Sequence, residues 1–526
     1  MPVLARTWRE TRFIVRRSLR DRSRLAKGQR PAISLVAALA LAGCSTLHDP
    51  LRSQLDAPES RVCECAGWFL ALDRETDAAG VRDAQDARIS GFPYLRANRL
   101  LASYRTEADL SESAFEALVG RMRDLDLAAR RHEISNLPAE RLRMLPGPAP
   151  DGARGEALGR SGECGQVLRE HDAATPGSQA ALLQRAMVPD EYRTWQRALG
   201  LYPLTRYPFA AGVRGWEDEV RAAYRRELPP AGGVLTRLSP PAGAALPYPS
   251  AAAILARAVA NPLGFPDPPE QELEALFAAH APSFEIDVQG DHDRFGELRW
   301  LRDSESPAVD VSRQVVYRHA AATRYRGRTL LQLVYVIWFP ERPPIGAFDI
   351  LAGRLDGVIW RVTLAPDGEP LLYDTIHPCG CFHMFYPTPR ATARPAPDGL
   401  QEWLLIPQAP PRVAAGERTR LRIASRTHYV ERVSLVRDSD NPVRYEVRQL
   451  DALRSLTRPD DGSASAFGPD GLVAGTARAE RFLFWPMGIQ SPGAMRQWGK
   501  HATAFVGRRH FDDPDLLEKR FLLELP

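Results

Sequence analysis

Two hydrophobic periods divide the chain. Between about residues 85 and 228 apolar positions recur at helical spacing. Phe115, Leu118, Val119, Met122 and Leu125 share one face, with Ser113 and Glu116 placed as a capping box. Pro189–Leu199 predicts another helix, with proline at its start and Gly200 just past its end, and Trp216–Leu228 continues the pattern. From residue 283 the period becomes two, as Phe284, Ile286 and Val288 alternate with Glu285 and Asp287. Gln314–Arg324 and Thr329–Phe339 predict a hairpin turning at Arg326-Gly327, with Leu331, Leu333, Tyr335, Ile337 and Phe339 on one face. Gly357–Leu364 and Glu369–Ile376 predict a second hairpin. Its turn, Ala365-Pro366-Asp367-Gly368, carries proline and glycine where a tight turn requires them. Further strands are expected at Glu402–Ile406, Thr419–Ser425, Tyr429–Val436 and Arg444–Leu450. The fold class expected is α+β: an N-terminal helical domain, then a C-terminal antiparallel sheet or sandwich.

Pro229–Pro249 holds six prolines, including Pro-Pro twice, and reads as a linker because such a run packs neither as helix nor as central strand. Two short helices, Ser250–Ala260 and Pro269–His280, complete a linker region over 229–282. The β domain is expected over 283–455. Residues 456–526 form an extension, with a Gly/Ser/Asp loop at 457–475, a segment Arg481–Trp485, a short helix near 493–499 and a last helix capped by Asp513. No internal repeat is present.

Charge narrows the partners. The formal net charge is +4, but residues 1–43 alone carry ten Arg/Lys against Glu10 and Asp21, so the rest of the chain is near −4. Charge therefore implies no nucleic-acid partner. Of 69 basic residues only Lys27, Lys500 and Lys519 are lysine, a bias that reads as genome composition rather than as an arginine binding code.

The basic start leads into Pro31–Gly43, an apolar run too short to span a bilayer but suited to a signal-peptide core. It ends in Leu41-Ala42-Gly43-Cys44, which resembles the lipobox of bacterial lipoprotein signal peptides. That resemblance implies residues 1–43 as a leader, cleavage before Cys44 and acylation of Cys44 (including palmitate). The polar stretch 45–60 with Pro58 then reads as a tether, which with Cys63-Glu64-Cys65 makes up a segment over 44–84. Ser45 after the cysteine looks like sorting to the outer membrane, facing the periplasm of the cell envelope. Several acyl chains on one residue anchor a protein without a transmembrane helix. The length of the basic region points to a translation start further downstream, and Arg16-Arg17-Ser18-Leu19 weakly resembles a twin-arginine signal.

The densest chemistry is Asp374–Pro387, DTIHPCGCFHMFYP. His377, Cys379, Cys381 and His383 fall on alternate positions just after a predicted strand, so in extended backbone they share a face. Imidazole and thiolate are preferred ligands of zinc and also suit copper. Alternate side chains on one strand stand about 7 Å apart, so chelation requires the segment to fold back at Gly380, or a further histidine such as His428 or His319. An oxidising compartment supplies a second reading, disulfides from Cys63 and Cys65 to Cys379 and Cys381, which leaves Cys164 single. The third is a catalytic thiolate paired with His377 or His383.

Asp287, Asp291 and Asp293, with Glu285 and His292 beside them, form a weaker cation candidate without EF-hand spacing. Arg508-Arg509-His510 with Lys500 and His501 reads as a solvated basic cluster. No nucleotide-cofactor fingerprint, phosphate loop, zincin motif or nucleophile elbow occurs. The function expected is a periplasm-facing lipoprotein with a zinc or copper site and envelope protein partners. The alternatives are a metal- or thiol-dependent enzyme acting on envelope material, and a structural lipoprotein stapled by disulfides.

Overall fold

Both faces of the long strand Arg328–Arg342 are buried, and the rest of the chain is arranged to cover them. A computed structural model describes residues 49–526 apart from 108–109, 148–152, 229, 242–247, 415 and 438–442. The leader and Cys44 lie outside the described residues. Residues 49–526 group as one compact unit.

The N-terminal part is built on helix α1 (Ser60–Ala78), helix α2 (Glu112–Asn136) and helix α3 (Ala153–Ala174). They enclose a core of Trp68, Phe69, Leu72, Leu118, Met122 and Leu168. The α2 face matches the predicted one, but its cap is Ser111, which accepts from the Ala114 N–H, instead of Ser113. A hairpin of β1 (Ala87–Ile89) and β2 (Phe92–Ala97) packs within this helical region, where no strand is expected. The strands are too short to show a period against helical surroundings, and Phe92, Tyr94 and Leu95 are buried. Helix α4 (Thr194–Leu199) is shorter than predicted, because Pro189–Arg193 stays extended and Tyr192 bridges to Ile489. Helix α5 (Tyr202–Arg225) follows it.

The proline-rich stretch is not only linker. Its Val234–Leu238 forms strand β3, which pairs with β4 (Ser283–Val288) between proline pairs that lie outside the ladder. Helices Tyr248–Ala258 and α6 (Glu270–His280) lie between β3 and β4.

The main sheet runs through β5 (Val315–Tyr325), β6 (Arg328–Arg342), β7 (Gly353–Leu364), β8 (Pro370–Ile376) and β9 (Met384–Pro387). The predicted turns close both hairpins. Arg326 and Gly327 have φ of 48° and 77°, the left-handed pair that a two-residue hairpin loop requires. A second sheet joins β10 (Glu417–Ile423) and β11 (Val430–Arg437) to β4 and β3, and β12 (Glu446–Gln449) extends the main sheet beside β5. The expected antiparallel arrangement holds for most pairs, but β10–β4 and β12–β5 are parallel. Both parallel pairs join strands distant in sequence, where no tight turn dictates direction. Glu402–Ile406 forms no strand, and Leu405 gives only one carbonyl, to Phe385. The segment 493–499 forms no helix.

Leu331, Leu333, Tyr335, Ile337 and Phe339 of β6 meet Phe284, Ile286, Leu421 and Val430 of the second sheet in one core. Val334, Val336 and Trp338 on the opposite face are covered by Phe467, Met495 and Phe511 from the C-terminal extension. Each such side chain contributes roughly 1.5–3 kcal/mol on burial. No helix among the described residues is long and apolar enough to cross a membrane.

Candidate dithiol site

Strand β8 ends at Ile376, and the chain reverses immediately. The His377 N–H bonds to the Cys381 carbonyl at 3.0 Å, and the Gly380 N–H bonds to the His377 carbonyl at 2.8 Å. Gly380 has φ of 91°, and a Cβ there would collide with the Ala502 carbonyl oxygen. Glycine is therefore required twice, for backbone sign and for space. The turn is the folding back that the motif needs, but it does not gather all four candidate ligands.

His377 and His383 separate into different environments. His383 Nε2 bonds to Asp374 at 2.9 Å, and Asp374 is itself held by Arg361. Burial pushes the His383 pKa down to about 3, and its ring stands beside Phe385 and Phe511. His377 Nδ1 bonds instead to Asp356 at 3.0 Å, and its pKa falls because burial outweighs that carboxylate. His377 is thus a neutral imidazole polarised by Asp356.

Asp356 has a second histidine. His428 Nδ1 lies 2.9 Å from its other oxygen, and His428 Nε2 donates to the His292 carbonyl at 3.1 Å. Burial would lower the His428 pKa, but Asp293 and Asp356 outweigh it and raise it, and both ring nitrogens face acceptors, an arrangement that favours the protonated ring. Its ring stacks on Phe339 at 3.9 Å, and its backbone is held at φ of 53°. His428 therefore joins the motif through a shared carboxylate. His319 does not. It packs on Trp498 at 4.8 Å, with its pKa lowered to about 4 by burial.

The two thiols do converge. Cys379 is buried and Cys381 partly exposed, and each thiol shifts the acidity of the other across the Gly380 turn. Cys381 holds Cys379 below the usual thiol range, aided against burial by Arg478, while Cys379 and burial push Cys381 up. Such a pair loses its first proton more readily than either thiol alone. Arg496 Nε donates to the Cys379 carbonyl at 3.1 Å. Arg478 reaches Asp356 at 3.5 Å, and burial pushes nearby Glu480 up to about 7. Phe382 has φ of 62° and packs edge-on between His377 and Tyr429. Tyr429 also lines a cavity of about 370 Å³ with Trp216, Tyr224 and Met384.

The disulfide expected between the two Cys-X-Cys segments is replaced by Cys65–Cys164, which links α1 to α3. Cys63 and Cys65 sit inside a helix, where residues two apart point about 200° from one another, so they cannot face a second pair together. Cys63 stays free. The three aspartates also diverge. Asp287 accepts from the Gly232 and Gly233 N–H groups, Asp291 is exposed beside Arg294, and Asp293 turns inward to Ser425, Arg426 and His428. Among the described residues no three His, Cys, Asp or Glu side chains are placed to hold a metal ion together.

Asp356, Arg478, Glu480 and Arg496 are absent from the sequence-derived set. Asp356 left one signal, a lone acid inside the apolar strand Leu355–Leu364 with Arg361 five residues on. The other three come from the C-terminal extension, whose return to this turn no local pattern encodes. Neither protein-family models, nor curated proteins, nor solved structures give a match to this chain.

Proposed function

We propose that this chain is an exported lipoprotein, anchored through Cys44 at the periplasmic face of the outer membrane, whose β half performs thiol–disulfide exchange at Cys379 and Cys381 on envelope proteins. The observation that supports the chemistry is the tight reversal at left-handed Gly380, closed by His377 N–H on the Cys381 carbonyl, which sets two unpaired cysteines one residue apart on the same turn. The lipobox carries the location.

The pair gives up one proton, and the two sulfurs share the remaining one. Cys381, on the more exposed residue, attacks a substrate disulfide while that proton sits on Cys379, forming a mixed disulfide and releasing one substrate sulfur as thiolate. Cys379 then attacks the Cys381 sulfur. The Cys379–Cys381 bond forms, the mixed disulfide breaks and the second substrate sulfur leaves. Two electrons pass to the substrate, and the two cysteine protons end on its sulfurs. The reverse sequence oxidises a substrate dithiol.

A mixed glutathione disulfide with a fluorescent reporter tests this on the mature protein. Wild type turns it over in the presence of a thiol reductant, Cys381→Ser is inactive, and Cys379→Ser accumulates the mixed disulfide. Equal rates for all three would overturn the proposal.

The same thiol pair favours one second reading, a soft copper(I) ion held by two sulfurs, because two-coordinate thiolate binding suits that ion while zinc requires more ligands. Elemental analysis of protein purified without chelators separates the two readings. Near one copper per chain, lost in both serine variants, supports the second.

A further inference from the structure

Large apolar side chains stand out on one corner of the N-terminal half. Trp195, Leu199, Leu201, Leu204, Tyr207 and Phe482 are between 54% and 71% exposed. They lie on α4, at the start of the long helix α5, and on a short helix of the C-terminal extension. Trp195 and Leu199 are one turn apart on α4, and Leu204 and Tyr207 are one turn apart on α5. Helix α7 (Arg481–Phe484) lies alongside, since Phe484 packs on Phe209 at 5.5 Å and Gly200 abuts Pro486. Leu201, between the helices, is held at φ of 48°, a conformation in which leucine is strained. The fold thus keeps a leucine, 60% exposed, where glycine would be cheaper.

Around this corner stand Arg193, Arg206 beside Tyr207, and Arg481 over Phe482. Protruding aliphatics, one Trp, one Tyr and a guanidinium rim form the pattern of an interfacial membrane contact: apolar groups enter the acyl boundary, aromatics sit at headgroup level and arginines meet lipid phosphates. Chain length adds a second argument. Asp49 pairs with Arg185 at 3.7 Å, and Arg185 begins the run through exposed Met187 to Trp195. Cys44 precedes Asp49 by five residues, so a lipid on Cys44 holds Asp49 within about 17 Å of the bilayer.

We infer that the Trp195–Leu204 corner with Phe482 lies against the surface of an anionic phospholipid bilayer. This occupant rests on the lipoprotein reading, and the test separates the two. The mature chain carrying Cys44→Ser, which no acyl chain can anchor, is sedimented with vesicles of phosphatidylethanolamine and phosphatidylglycerol at 3:1. Binding is expected, reduced in 0.5 M salt and lowered more than tenfold by Leu201→Gly with Leu204→Ser, changes at exposed sites of which the first relieves strain. Equal sedimentation of wild type and variant overturns the inference. So does self-association of the wild type, lost in the variant, without vesicle binding, because the corner would then serve a second copy. Acylation is read independently from the mass of the mature N-terminal peptide. Its absence beside variant-sensitive vesicle binding would sink the lipoprotein reading and leave the surface.

Discussion

Asp356 and His428 lie 2.9 Å apart with neither side chain reaching solvent. Their pairing ties the turn carrying the dithiol to the β10–β11 connection, because the other Asp356 oxygen holds His377. Removing the carboxylate charge leaves His428 and Arg478 buried without their shared partner. Asp356→Asn should therefore cost about 3–5 kcal/mol, read from urea unfolding followed by circular dichroism. A loss under 1 kcal/mol would mean that the buried pair does not anchor the turn.

Cys65 and Cys164 close a loop across 99 positions and fasten α1 to α3. Cross-links over loops of that size typically contribute about 2–5 kcal/mol, largely by restricting the unfolded chain. Cys65→Ala with Cys164→Ala should lower the melting temperature without altering exchange at Cys379 and Cys381. Loss of exchange with stability intact would place this disulfide in the reaction instead.

Gly380→Ala meets both a left-handed backbone and the Ala502 carbonyl. The expected cost is about 1–3 kcal/mol, with disruption of the thiol–thiol contact. A crystal structure or thiol-alkylation rates would reveal it as a change in Cys381 reactivity. Unchanged reactivity would show that the turn tolerates a side chain.

Stability should fall as pH drops from about 6.5 to 4. His280 and His319 are lowered to about 4, and His383 and His501 to about 3, each chiefly by burial. In that window the unfolded chain binds protons that the folded chain refuses, so stability rises with pH. Glu480 and Asp86, raised by burial to about 7 and about 6, act in the opposite direction. Asp124, Asp126, Glu402 and Glu431 are raised in that same sense and His377 is lowered with the other histidines, so the prediction rests on the four large histidine shifts outweighing the carboxyl groups. Thermal melts between pH 4 and 7 check the sign, and a flat profile would contradict the buried neutral histidines.

Much of the β half was legible because its strands follow local rules. The predicted β6 face is the observed one, and the two tight turns carry the residues their geometry demands. What local pattern could not carry is pairing between distant segments. That explains the parallel contacts of β10 and β12, the pairing of β3 out of a proline-rich run, and the burial of the second β6 face. The site was legible to the same degree. The His-X-Cys-X-Cys-X-His spacing singled out the segment, but extended-strand logic placed four side chains on one face where a turn separates them. Cys63 and Cys65 misled for a related reason: two cysteines flanking one residue read alike on a strand and on a helix, and only on a strand do they point together.

A redox titration decides whether Cys379 and Cys381 form an exchangeable dithiol. Mature protein is equilibrated in glutathione buffers of graded potential, quenched with an alkylating agent, digested and analysed by mass spectrometry. One two-electron transition is expected in the peptide holding Cys379 and Cys381, with Cys65–Cys164 oxidised throughout and the transition abolished by Cys379→Ser. Two thiols that stay reduced at every potential, or stay oxidised at every potential, would contradict it.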